Sequence, residues 1–118
     1  GEKTVMNEEI GKATNVLNHM LGMQVIECSI DNDTFLLKLN RAQFAFFCEY
    51  EIDPKSALLS DLIGAKLERI DDSAKSMSFG FNSGVSVKFS WDKCTNVEAF
   101  AGSIDTEDGQ ELWVSEEA

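Results

Sequence analysis

Leu21-Gly22-Met23-Gln24-Val25 returns as Ile63-Gly64-Ala65-Lys66-Leu67, with each glycine following an apolar residue and opening a strand-like stretch. Gly22 and Gly64 stand 42 residues apart, as do Leu37 and Phe79 further along. The first stretch reaches Phe35-Leu36-Leu37-Lys38-Leu39 and then Phe44-Ala45-Phe46-Phe47. The second reaches Met77-Ser78-Phe79-Gly80-Phe81 and then Val85-Ser86-Val87-Lys88-Phe89. A period of this size implies one supersecondary unit used twice, each copy burying the other's apolar face.

Working outward, Asn7-Glu8-Glu9 has the form of a helix start: a capping side chain, then negative charge at the positive end of the dipole. Ile10, Ala13, Leu17, Met20 and Leu21 follow at helical spacing, and Gly22 suits a left-handed C-cap. The spacing predicts a helix over 8–21. Ser56 to Ile63 predicts a second, of about two turns, ended by Gly64. After each glycine the period falls to two. Strands are expected at Val25 to Ile30, Phe35 to Leu39, Phe44 to Tyr50, Leu67 to Ile70, Met77 to Phe81 and Val85 to Trp91. Asp31-Asn32-Asp33, Asn40-Arg41-Ala42 and Asn82-Ser83-Gly84 read as the turns between them. Val97 to Phe100 suits either a short strand or a helical turn, and Leu112-Trp113-Val114 a last strand. Residues 115–118 should fray.

The expected fold is therefore α+β: mainly antiparallel sheet from two helix–β-meander units, packed with the N-terminal helix. One domain spans 1–118, with the pseudo-repeat at 8–53 and 56–98 and a C-terminal strand at 110–114. At 118 residues such a domain buries roughly two thirds of its unfolded surface. Eight Phe and two Trp supply a packed core.

Charge narrows the function. Twenty-one acidic residues against ten basic ones give −11, which disfavours nucleic acid and anionic membranes as partners. The same surface attracts a basic protein. No signal-peptide pattern opens the chain and no run reaches the roughly 18 apolar residues of a membrane span, so a cytoplasmic location is the expectation. Cys28, Cys48 and Cys94 form no C-x-x-C pair; buried free thiols are expected, with a disulfide as the alternative.

Catalytic chemistry finds little support. His19 is the single histidine, and no G-x-S-x-G motif accompanies it. Asp31 with Asp33, Glu49 with Glu51 and Asp53, and Asp71 with Asp72 pair carboxylates in turns and strand ends, where solvation leaves no reason for one to become the poor acid that glycoside hydrolysis requires. Asp105, Glu107, Asp108 and Glu111 surround Gly109, but Glu107 and Gln110 break the spacing of a calcium loop. No glycine-rich phosphate loop is present. Neither cofactor nor metal is expected.

The second half resembles small cytoplasmic bacterial proteins of the toxin-immunity type. The residues are Leu62-Ile63-Gly64-Ala65-Lys66-Leu67, the strand Met77 to Phe81, the Asn82-Ser83-Gly84 hairpin, the strand Val85 to Phe89 and Val97-Glu98-Ala99. The resemblance implies a non-catalytic inhibitor that neutralises a basic toxin, such as a nuclease, by direct binding. Charge complementarity suits that role. The expected contact residues are Glu49, Glu51, Asp53, Asp71, Asp72, Asp105, Glu107 and Asp108, with Tyr50, Trp91 or Trp113 as aromatic anchors where exposed. Two alternatives stand beside it: a ligand-binding or enzyme domain with a pocket between the two meanders, and a structural homodimer subunit.

Overall fold

Asn32 and Asp33 both take positive φ, 50° and 65°, and so close the first hairpin with the twist that two-residue turns require. The computed structural model describes residues 3–6 and 16–117, and ten strands lie among them. They are β1 (Lys3–Met6), β2 (Val25–Asp31), β3 (Thr34–Leu39), β4 (Ala42–Phe46), β5 (Cys48–Asp53), β6 (Leu67–Asp72), β7 (Ser76–Phe81), β8 (Ser86–Cys94), β9 (Glu98–Asp105) and β10 (Glu111–Glu117). Two sheets result. One has six strands in the order β1-β10-β9-β4-β3-β2, the other four in the order β5-β8-β7-β6. Every strand pairing is antiparallel.

This architecture overturns the α+β expectation. Of the helix expected over 8–21, residues 8–15 lie outside the described residues. Val16 and Leu17, the first residues described after that gap, are helical, and the chain tightens into a 3-10 turn at Asn18–Met20. The second expected helix is a single 3-10 turn, Leu59–Leu62. The second piece, Leu59–Leu62, is too short to offset the cost of helix nucleation by itself. Apolar side chains of both described pieces act as plugs: Leu17, Met20 and Leu62 are essentially fully buried in the common core. No described helix is long and apolar enough to cross a membrane.

The two glycine-centred motifs turn out to be neighbours. Gly22 and Gly64 adopt φ of 88° and 90°, a region open to glycine at little cost. Gly22 N–H donates to the Leu67 carbonyl at 2.7 Å, and Gly64 N–H donates to the Val25 carbonyl at 2.8 Å. Val25 N–H reaches the Ala65 carbonyl while Leu67 N–H reaches that of Met23, at 2.8 and 2.9 Å. Asn40 Oδ1 accepts from Gln24 N–H, and Asn82 Oδ1 accepts from Lys66 N–H, each at 3.0 Å. Every bond has a counterpart 42 residues away. The motifs are thus related by a local two-fold axis at the Gln24–Lys66 bridge, which joins the edges of the two sheets.

The Phe44 to Tyr50 stretch, expected as one strand, bends at Phe47 from one sheet into the other. β4 lies inside the six-stranded sheet between β3 and β9, whereas β5 pairs with β8 in the four-stranded one. The corner is held by Phe47 N–H donating to the Ala99 carbonyl at 2.8 Å and Thr95 N–H donating to the Phe47 carbonyl at 2.8 Å. The chain makes the reverse crossing between β8 and β9. Cys48 and Cys94 face each other across β5 and β8 and are joined as a disulfide, which corrects the free-thiol reading for this pair; Cys28 remains free.

Phe46 from β4 stacks on Phe89 from β8, centroids 4.1 Å apart and planes 7° from parallel. Phe35, Phe79 and Phe100 surround them. The space between the meanders is therefore filled by aromatic rings. At the C-terminus, Ser115 to Glu117 continue β10 against β9 rather than fraying, and Glu116 is buried. Antiparallel pairing with β9 and β1 supplies the partners that a free end lacks.

Candidate interaction surfaces

Because strand side chains alternate between faces, β5 turns Glu49, Glu51 and Asp53 outward, all exposed. A register shift between Cys48 and Tyr50 places Glu49 at a bulge. The residue opposite Glu51 is Lys88, then Ser78, then Asp71; opposite Asp53 come Ser86, Gly80 and Arg69. The four-stranded sheet thus gathers Glu49, Glu51, Asp53 and Asp71 on one polar face. Arg69 lies over Gly80, where a Cβ would sit 2.8 Å from Nη2, and its Nε donates to Asp71 Oδ2 at 2.8 Å. That pair is exposed and is worth at most about 1 kcal/mol. β5 is the outer strand of its sheet, so Glu49, Glu51 and Asp53 line a sheet edge that no strand among the described residues pairs with. Asp72, one position beyond Asp71, is exposed on the other side of β6.

Asp105, Glu107 and Asp108 are elsewhere, at the turn between β9 and β10 in the other sheet. Thr106 N–H donates to the Gln110 carbonyl at 2.8 Å, and Gly109 (φ 91°) permits the reversal. Arg41 approaches Glu107 at 3.8 Å, and the Thr106 hydroxyl donates to Asp108, holding its carboxyl below the ordinary carboxylate range. His19 and Arg41 join these acids around a depression of about 260 Å³. The expected contact residues therefore fall in two places, and the turn group has Arg41 close by.

Of the expected aromatic anchors, Trp91 is 5% exposed and belongs to the core. Tyr50 packs on Phe35 and is 37% exposed; Trp113 is 47% exposed.

Trp113 borders a feature that reading the strands one by one does not find. The outer face of the six-stranded sheet is a trough of about 650 Å³. Across its strands run two registered rows. One is Ser29, Leu36, Ala45, Ala101 and Ser115; the other is Glu27, Lys38, Gln43, Ser103 and Trp113. Leu36 and Lys38 stand on β3 and Trp113 on β10; between them the middle strands carry the small Ala45, Ala101 and Ser103 together with the longer Gln43 of β4. Ser103 is only 7% exposed although it lies on the outer face, so the floor is sheltered. Trp113 Nε1 donates to Glu111 Oε1 at 3.1 Å, which orients the indole. The available signal was the outward positions Leu36, Ala45 and Ala101, which lack the polar residues usual on a solvated antiparallel face. Those positions become one surface only once β4 pairs with β9, across 56 residues of chain from Ala45 to Ala101.

Among the described residues no group of three or more His, Cys, Asp or Glu side chains could hold a metal ion. Comparison of the chain with protein-family models, with the curated proteins and with solved structures finds no match.

Proposed function

We propose that this chain is a non-catalytic, acidic inhibitor of the toxin-immunity type, which neutralises a basic toxin by covering it. The observation that supports the reading best is the outer strand β5, whose Glu49, Glu51 and Asp53 project along the sheet edge with Asp71 on the same face. The turn group at Asp105 to Asp108 is exposed as well, but it lies on the other sheet, whereas this row follows the outer strand of its own sheet. With a net charge of −11 behind it, the row steers a cationic macromolecule and speeds its association. A toxin that acts on nucleic acid has a cationic substrate face, and an anionic edge competes for it. Tyr50, on the opposite side of β5 against Phe35, is part-exposed at the strand's edge and can add apolar contact area only there.

Cytoplasmic residence belongs to the same proposal. A disulfide such as Cys48–Cys94 is uncommon in that compartment, so alkylation of denatured material on lysis of the native host tests the residence: an intact disulfide in the cell would count against it. The function is tested by capture from that host at low and high salt. A basic partner should be retained at low ionic strength. Glu49→Gln with Glu51→Gln and Asp53→Asn should weaken its association by about tenfold, mostly through slower association. Capture of no basic protein, or binding indifferent to salt and to the triple variant, would overturn the proposal.

A further inference from the structure

The two sheets have contrasting outer faces. Across the four-stranded sheet the outward residues are polar: Glu51, Lys88, Ser78 and Asp71 in one row. The corresponding row of the six-stranded sheet reads Leu36, Ala45, Ala101 and Ser115. The meander β6–β7–β8 therefore forms its sheet without an apolar outer face, and the trough is not a requirement of the fold.

We infer that this trough is a second interaction surface, distinct from the β5 edge, that takes an amphipathic cationic helix of a protein partner. Its shape supports a helix. The walls on β3 and β10 are three strand spacings apart, about 14 Å, and a helix with its side chains is about 10–12 Å across. Between the walls, Ala45, Ala101 and Ser103 form a low floor beside the longer, exposed Gln43, and a helix can lie over it along the strands, the common way a helix covers a sheet. Leu36 on one side and Trp113 on the other are the apolar contacts, and the bond to Glu111 holds the indole ready. Charge selects the sign of the occupant. Glu27 and Glu98 on the lining outnumber Lys38, and the chain's net −11 opposes a second copy of itself. The trough and the β5 edge lie on different sheets, so the inference does not depend on the toxin reading.

The probe is a synthetic helix of about four turns, with Leu at i, i+3, i+4 and i+7 and Lys elsewhere, titrated against the full chain by tryptophan fluorescence. Buried Trp91 contributes a constant background. Two control peptides keep either the charge (Ser for Leu) or the apolar stripe (Glu for Lys). The Leu/Lys helix should give a saturable blue shift, and each control should bind at least about tenfold more weakly. Ala101→Arg, which fills the floor with a cation, and Leu36→Asp, which breaks one wall, should each weaken binding by about tenfold or more; the β5 triple variant should change it less than about twofold. Equal binding of the Leu/Lys and Ser/Lys peptides, no saturable response, or indifference to both trough variants would overturn the inference. So would light scattering showing a dimer that Ala101→Arg dissociates, which would assign the face to a second copy. A fall in melting temperature of more than about 5 °C in unliganded Ala101→Arg would show the face already covered, and would equally refute it.

Discussion

Replacing Phe46 by Ala tests the core at the place where the two meanders meet. Phe46 is fully buried, and its ring lies 4.1 Å from Phe89, 5.5 Å from Phe79, 5.6 Å from Phe100, 6.0 Å from Phe44 and 6.2 Å from Phe35. Neighbours on all sides are parts of sheet strands, so the hole cannot collapse readily. Truncating a buried Phe costs about 3–5 kcal/mol, and this site belongs in the middle or upper part of that range, about 4 kcal/mol. For a chain of this length that lowers the melting temperature by about 15 °C. Chemical denaturation followed by circular dichroism measures the change directly. Phe89→Ala should cost a similar amount, and the double variant should fall short of the sum by about 1 kcal/mol, the worth of a stacked pair beyond its burial. A loss below about 2 kcal/mol, or strict additivity with Phe89→Ala, would refute the central stack.

Gly102→Ala should cost about 3 kcal/mol, because its Cβ would land on the Gln43 carbonyl oxygen and the Phe44 ring, whereas Gly80→Ala meets only the mobile end of Arg69 and should cost under about 1 kcal/mol; melting curves compare the two. Gly64→Ala meets no atom within 4 Å, yet φ of 90° strains it by about 1–2 kcal/mol, measurable in the same way. Burial pushes the Cys28 thiol from 9.0 to about 11. At pH 8 its iodoacetamide alkylation should therefore run about a hundredfold slower than that of a free cysteine, gaining about tenfold per pH unit until near pH 11. Between those two values the unfolded thiol ionises while the folded one stays neutral, so this group lowers stability as pH rises from about 9 to 11. Alkylation at the rate of an unperturbed thiol would show Cys28 solvated.

Several strands were legible because each displays its own period. Met77, Phe79 and Phe81 alternate with Ser78 and Gly80, and Val85, Val87, Phe89 and Trp91 with Ser86, Lys88 and Ser90; all seven apolar members point inward and are buried. The helix reading failed for a local reason. Leu59 and Leu62 are at helical spacing whether they line a helix or, as here, belong to a single 3-10 turn that plugs the core with Leu62. Periodicity over so few residues cannot separate the two. Phe46-Phe47-Cys48 misled similarly, since an apolar run marks a covered central strand or a corner between sheets.

What the amino-acid order by itself determined was most of the strands and turns, though neither β1 nor the division between β4 and β5, together with the repeat at Gly22 and Gly64 and the sign of the surface charge. These follow from near-neighbour physics: alternation on a pleat, positive φ at glycine, and a count of ionised groups. Tertiary structure alone decided that Gly22 and Gly64 face each other, that β5 pairs with β8 and β9 with β4, and that Cys48 meets Cys94. It also decided that the carboxylates divide between a sheet edge and a cation-flanked turn, and that Leu36, Ala101 and Trp113 share one trough. Those outcomes depend on pairings between residues tens of positions apart, where burial of the whole aromatic core, rather than any local preference, selects the register.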